Sequence, residues 1–407
     1  MNDTGKTVGD LRRSNISLIL KLLYFEGAQS RKMLSKKANL TPAAVTTLTA
    51  ELIENGYIVD PKILIKNGKA GRAEQLIDLN YCGLYILGLR IDRDIAEIRV
   101  FNLGLECLGH SSVEVPGFGD ADALFEFLCD KIALLMVKSS ITVRDLLGIG
   151  VTINGIVDPV EGVSVDSFGL IEKNTNIRHQ IEKRLNLPVS VNNNVRSMLA
   201  AESAIHHRFQ GVSHLFIKYG PGLGAALSVN QQTYSGVGNR AMELGHITIK
   251  PDGQLCRCGR RGCLETLVSF STILDEADEI IRARSPNHNG KLYDKALSIE
   301  VLLEALDAGD AEIRELFAMK FSLLAFWFEN FVAIFDPQTI SICSEIFLRE
   351  TAKKLFLEQI SKCTSAIADR LELNSDIERI EQTGAAALVV NTFLSGLLPV
   401  EKRLLHI

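Results

Sequence analysis

Glu243-Leu-Gly-His246, nine residues, then Cys256-Arg-Cys258-Gly-Arg-Arg-Gly262-Cys263-Leu-Glu265 is the stretch that decides how this 407-residue chain is read. One imidazole and three thiols stand at the spacing His246-x9-Cys256-x-Cys258-x4-Cys263. Those are the four ligands that a closed, tetrahedral structural Zn2+ site requires. Gly259 and Gly262 sit where a chain folding back on a metal needs permissive backbone. Disulfides fit worse, because three clustered cysteines leave one unpaired. The bland alternative is a set of buried free thiols beside a surface histidine.

Carboxylates flank the ligands: Glu243 stands three residues before the histidine and Glu265 two after the last cysteine. A metal staple between them can hold both acceptors rigidly towards a polyol. Equally, they can serve only to support the metal ligands. The whole pattern resembles the signature of the ROK family of repressors and sugar kinases. That resemblance implies a histidine that binds zinc through one ring nitrogen and faces a sugar with the rest of the ring, a dual use suited to imidazole.

Composition sets the frame. Apolar residues make up 46%, enough for real cores in two or three domains. The sequence lacks a signal-peptide pattern, and no uninterrupted apolar run reaches the ~18 residues of a membrane span. Eight cysteines in such a chain point to a reducing, cytoplasmic address away from membranes. Charge is uneven. Residues 1–80 hold 12 Lys and Arg against 8 Asp and Glu, whereas the rest holds 32 against 41. Nucleic acid, if bound, would meet the basic head.

Within that head, Ile16, Ile19, Leu20 and Leu23 predict a helix over about residues 12–25, ended by Gly27. Ser30 can cap a short second helix bearing Arg31, Lys32, Lys36 and Lys37. Thr41-Pro42 opens a third, by a cap followed by proline at the first helical position. Its apolar Val45, Leu48 and Leu52 face inward, leaving Ala43, Thr46, Thr47 and Ala50 outward, small enough to approach base edges. Residues 57–79 read as a hairpin with Asn67-Gly68 at its tip and Lys66, Lys69 and Arg72 around it. This order is a winged helix-turn-helix. A three-helix domain for protein contacts has the same outline, but the basic residues favour phosphate. ROK repressors carry a Gly-Arg pair after the wing, matched by Gly71-Arg72; a second arginine often follows, and here Ala73 stands instead.

The body alternates strands with helices, which argues α/β architecture. Strands are expected at 85–90, 95–101, 147–153, 188–191, 215–218, 225–229 and 339–343. Helices are expected at 124–137, 177–185, 267–284, 299–306, 312–335 and 351–370. The resemblance implies a two-lobed, actin-like, sugar kinase fold over residues 81–407, with the ligand in the cleft. The lobes would cover about 81–195 plus a C-terminal helix, and 196–380. Residues 1–80 would form the DNA-binding domain.

A family kinase needs a carboxylate base to take the sugar hydroxyl's proton. The family's Asn-Asp reads Asn193-Asn194 here, and an amide cannot accept that proton at neutral pH. The first phosphate loop, Asp-x-Gly-Gly-Thr in kinases, is replaced by Arg90-Ile-Asp92-Arg93-Asp94. The second survives as Gly220-Pro221-Gly222-Leu223-Gly224, and a late glycine pair reads Cys343-Ser344. The resemblance thus implies a cleft that has lost catalysis. The sugar side is better kept: Glu243, His246, Glu265 and Asn193 match family positions that hold sugar hydroxyls, Asn154-Gly155 stands where Pro-Gly usually lines the same pocket, and Asn194 is a further candidate contact. For Asn193 a strand-end turn explains the residue equally well.

These readings combine in a sugar-responsive transcriptional regulator, not an enzyme. It would bind double-stranded operator DNA as a homodimer or higher homo-oligomer, and answer to a sugar or sugar phosphate that changes the spacing of two heads. Two alternatives remain: an active sugar kinase with a DNA-binding head, and a regulator controlled by a protein partner.

Overall fold

The computed structural model describes residues 7–65, 73–115, 120–206, 211–230, 232–284, 291–292, 295–363 and 365–397. The head opens on helix Val8–Glu26, which starts before the expected residue 12. Thr7 and Asp10 form a capping box there, so the start signal was Thr-x-x-Asp. Gly27 ends the helix at a positive φ of 75°. Ser30 accepts the Met33 N–H to cap Arg31–Ala38, and Thr41 accepts the Ala44 N–H to cap Pro42–Glu54. Ile19, Leu23, Leu34, Val45 and Leu52 are buried together. Strand Glu74–Leu79 pairs with Ile58–Val59 and Leu64–Ile65, and also with Gln29–Ser30, a strand too short to show in periodicity. This is a winged helix-turn-helix. The expected tip, with Lys66, Lys69 and Arg72, lies outside the described residues.

Beyond residue 80 the fold repeats itself. The first five-stranded sheet runs Val189–Asn193, Leu146–Ile153, Tyr85–Ile91, Ile95–Asn102, Cys107–Glu114. The second runs Leu371–Asn374, Thr339–Cys343, His214–Tyr219, Leu223–Val229, Gln232–Thr233. In each, the three strands met first form an antiparallel meander. The last two then add in parallel on the meander's first strand. Parallel additions require long crossovers, and the helices supply them. The architecture is therefore α/β, the duplicated actin-like arrangement.

Two compact units result: residues 1–207 with 382–407, and 208–381. In the first, Leu87, Leu89, Ile98 and Val151 pack against Phe125, Leu128 and Ile132 of helix Ala121–Lys138. Helix Ile377–Leu394 lies backbone-close on the opposite face: a Cβ on Gly150 would fall 1.7 Å from the Ala385 carbonyl oxygen. The end of this helix meets the head. Ser17 Oγ donates to the Leu394 carbonyl at 2.7 Å, and Tyr57 and Phe393 rings lie 5.5 Å apart.

In the second unit, Phe317, Phe321, Phe328 and Phe331 of helix Ala311–Phe335 build the core with Phe356. By length and composition this helix could cross a membrane. Its buried aromatic face and the buried Lys320, ion-paired with Glu276, make it a core helix. Two expected helices are each found as two helical segments. The 267–284 helix is broken at Ser269 into Glu265–Val268 and Phe270–Arg284. The 351–370 stretch is helical over Glu350–Cys363 and over Ser365–Ala368, and the chain then reaches strand Leu371–Asn374, whose parallel partner Thr339–Cys343 lies upstream of those helices.

Candidate metal centre and effector site

Residues 244–246 form a short 3-10 turn, and the chain then folds back on itself through bridges Thr248–Cys263 and Leu255–Arg261. The fold-back depends on glycine. A Cβ on Gly262, at φ +65°, would lie 1.5 Å from the Lys250 carbonyl oxygen. His246, Cys256 and Cys263 are buried and Cys258 half-buried, with all four donor atoms within 4.8 Å of one another. Cys256 Sγ lies 3.4 Å from His246 Nδ1, and Cys258 Sγ lies 3.6 Å from Cys263 Sγ. A tetrahedral zinc ion demands about 3.5 Å and about 3.8 Å for those separations. The donor set fits the ion. The thiols are free, so no disulfide competes.

Burial dominates the electrostatics of the four donors. It pushes Cys263 up to about 12 and raises Cys256. Burial acts the same way on Cys258, but hydrogen bonds from the Arg260 backbone and side chain bring that thiol below its ordinary value. Burial also holds His246 below the ordinary imidazole value, opposed by Glu265 and aided by Arg257 and Arg260. A neutral imidazole and thiolates are the forms a metal binds.

The flanking carboxylates lead to the glycine turn at 220–224. Leu223 is the junction. Its carbonyl oxygen approaches Gly245 so closely that a Cβ there would lie 2.1 Å away. Its N–H donates to Glu265 Oε2 at 3.0 Å. Glu265 is buried and ion-paired with Arg257, Nε to Oε1 at 3.2 Å and Nη2 to Oε2 at 3.3 Å. Glu243 is half-buried at the start of the His246 turn. Thus Glu243, His246 and Glu265 are gathered around the metal loop. Sequence reading did not single out Arg257; its place between two candidate metal-ligating cysteines was the available signal.

The other sugar-site candidates gather in the first unit. Asn193 ends strand Val189–Asn193, and Asn194 begins helix Asn194–His206. Asn193 Oδ1 accepts the Arg196 N–H at 2.9 Å, and its Nδ2 donates to the Gly155 carbonyl at 3.3 Å. Gly155, at φ +107°, has no room for a side chain, since a Cβ would lie 2.1 Å from the Asp166 carbonyl oxygen. Asn154 Nδ2 donates to Asp92 Oδ1 at 3.1 Å.

On the head, Ala43, Thr46 and Thr47 are exposed on one face of Pro42–Glu54. Both hydroxyls donate to carbonyls one turn back, Thr46 to Pro42 and Thr47 to Ala43. Lys32, with 80% of its side chain exposed, reaches Glu74, whereas Arg31 Nε donates inward to Thr49 Oγ1 at 3.0 Å.

A winged helix-turn-helix joined to a duplicated α/β body, with a loop of one histidine and three cysteines, defines a class that combines DNA-binding and sugar kinase modules. Residues 86–389 match the ROK family, and the chain belongs to it. It is 26% identical over 401 residues to the DNA-binding transcriptional dual regulator NagC of Escherichia coli, spanning 95% of each chain. It is 25% identical to the xylose repressor of Caldicellulosiruptor bescii, spanning 95% of this chain and 97% of that one. A solved ROK family transcriptional regulator, a homologue of Escherichia coli Mlc, superposes with a TM-score of 0.80 at 25% identity. That match covers 95% and 98% of the two chains. A ROK glucokinase from Streptomyces griseus shares the fold at a TM-score of 0.61 and 19% identity, over 75% of this chain and 98% of that one.

Proposed function

We propose that this chain is a sugar-responsive transcriptional regulator, a repressor of carbohydrate genes. One observation carries the reading: the similarity to a DNA-binding transcriptional dual regulator and to a xylose repressor runs through the head as well as the body, over 95% of the chain. Residues 1–80 bind operator DNA. Ala43, Thr46 and Thr47 meet base edges, and Arg31, Lys32, Lys66, Lys69 and Arg72 meet phosphates. Residues 81–407 bind the effector and assemble the homo-oligomer that places two heads on one operator. The address is cytoplasmic.

His246, Cys256, Cys258 and Cys263 hold a zinc ion, which cross-links the loop and carries no chemistry of its own. Glu243 and Glu265 accept hydrogen bonds from sugar hydroxyls, and His246, with Nδ1 turned to the metal, donates from its Nε2–H to a hydroxyl oxygen. Asn154, Gly155, Asn193 and Asn194 are the matching candidates of the first unit. Asn194 offers an amide where a kinase needs a base, which supports a binding site without phosphoryl transfer. A thermal-shift screen of sugars and sugar phosphates, followed by gel-shift titration of operator fragments, tests the whole. A sugar that raises the melting temperature should weaken operator binding. Sugar-dependent ATP hydrolysis in a coupled assay would instead establish the kinase alternative.

A further inference from the structure

The Gly220–Gly224 turn has the composition of a phosphate cradle, but its contacts are those of a carboxylate seat. Leu223 gives its N–H to Glu265 Oε2. A Cβ on Gly222 would lie 2.9 Å from that oxygen and 3.2 Å from Arg257 Nη2. The space left open by glycine at 222 is therefore filled by the Glu265–Arg257 pair. An ionised carboxylate offers about four acceptor positions. Leu223 and Arg257 each take one by hydrogen bond, with Arg257 Nε a further ion-pair contact, which leaves roughly two for a ligand.

The two partners of Glu265 differ in kind. Leu223 is buried backbone, whereas Arg257 keeps 65% of its side chain in solvent and Glu265 only 10%. An ion pair with so exposed a guanidinium has little net strength, and an incoming hydroxyl group can replace it. Once Arg257 swings out, the carboxylate stays anchored on Leu223 and presents its remaining lone pairs to a polyol.

We propose that Arg257 is a latch: in the sugar-free protein it occupies the Glu265 carboxylate, and a neutral polyhydroxyl ligand binds by displacing it. The proposal rests on the reading that Glu265 faces a sugar. It makes Arg257 a residue that sets the threshold concentration of effector without touching it.

The test compares wild-type protein with Arg257→Gln by calorimetric titration of glucose, N-acetylglucosamine, xylose and glucose 6-phosphate, with zinc content per chain measured in both. Gln keeps the loop's length and polarity but ends the ion pair. The expected result is about two- to five-fold tighter binding of a neutral sugar to Arg257→Gln, the range an exposed ion pair commands. Wild-type affinity should also rise between low and high salt, because screening weakens the latch, while the variant's stays flat. Equal or weaker binding by the variant at unchanged zinc content overturns the latch and leaves the sugar site standing. A loss confined to glucose 6-phosphate also overturns it, making Arg257 a direct anion contact. If no sugar binds either protein, the sugar reading itself falls, and the latch with it.

Discussion

The hairpins at 91–95 and 219–223 occupy the same place in two sheets of identical strand order, yet their chemistry is opposite. The first is acidic, Asp92-Arg93-Asp94; the second is Gly220-Pro221-Gly222. Each nevertheless ends in the same way. In the first, the Arg93 N–H donates to Asp92 Oδ1 at 3.2 Å, so the turn carries its own carboxylate. In the second, the Leu223 N–H donates to a carboxylate borrowed from Glu265, forty-two residues away. A phosphate cradle needs such amides aimed at an anion from outside. Here both hairpins already hold an internal anion. By its contacts the glycine-rich turn is thus closer to the acidic hairpin than to an open phosphate cradle.

The comparison can be broken or sharpened at several points. The largest effect should come from the metal loop that supplies Glu265. Cys258→Ser should abolish tight zinc binding, since structural zinc contributes on the order of 10 kcal/mol to such loops. Elemental analysis and a melting curve would read the loss. The variant should also hold its operator regardless of sugar, and a normal inducer response in zinc-free protein would separate the metal from the switch.

The next test restores the missing base. Asn194→Asp should show no sugar-dependent ATP turnover in a coupled assay, because Asp92 and Asp94 still stand in place of a glycine loop and the Leu223 N–H is already taken by Glu265. Turnover would mean that the hairpin contacts yield to MgATP.

Smaller effects separate scaffold from site. Asn193→Ala removes the acceptor for the Arg196 N–H and should cost about 1 kcal/mol, seen as a lowered denaturation midpoint. A much larger loss of sugar affinity than of stability would assign Asn193 to the ligand as well as the cap. Asp310, outside both hairpins, is a control within the second unit. It caps Ala311–Phe335, and a hydrogen bond from Arg284 holds its carboxyl below the ordinary value. A depressed carboxyl stabilises the fold in full above its unfolded pKa and loses that stabilisation as pH falls through the folded one. Asp310→Ala should therefore cost about 1 kcal/mol at neutral pH and nothing in strong acid, as urea denaturation at several pH values would measure.

Much of this molecule was legible one segment at a time. Helix Ile177–Leu185 and strand Thr339–Cys343 fall where periodicity placed them, because a local amphipathic pattern and a short apolar run are local facts. The metal cluster was legible for a similar reason: a short fold-back brings its ligands together through turns that the sequence spells out in glycine. Misses fell where a partner segment decides. Leu371–Asn374 is a strand because Thr339–Cys343 offers it a parallel edge, and Gln29–Ser30 because Glu74–Leu79 offers an antiparallel one.

Sequence alone determined the set of candidate metal ligands, the head's helices and caps, and the amide at position 194, since each depends on residue identity over a few turns of chain. Tertiary structure decided what the glycines at 220–224 are for. Backbone amides carry no sequence mark of the anion they face. Only the packing of Glu265 against Leu223, across forty-two residues, shows that this turn is filled from within.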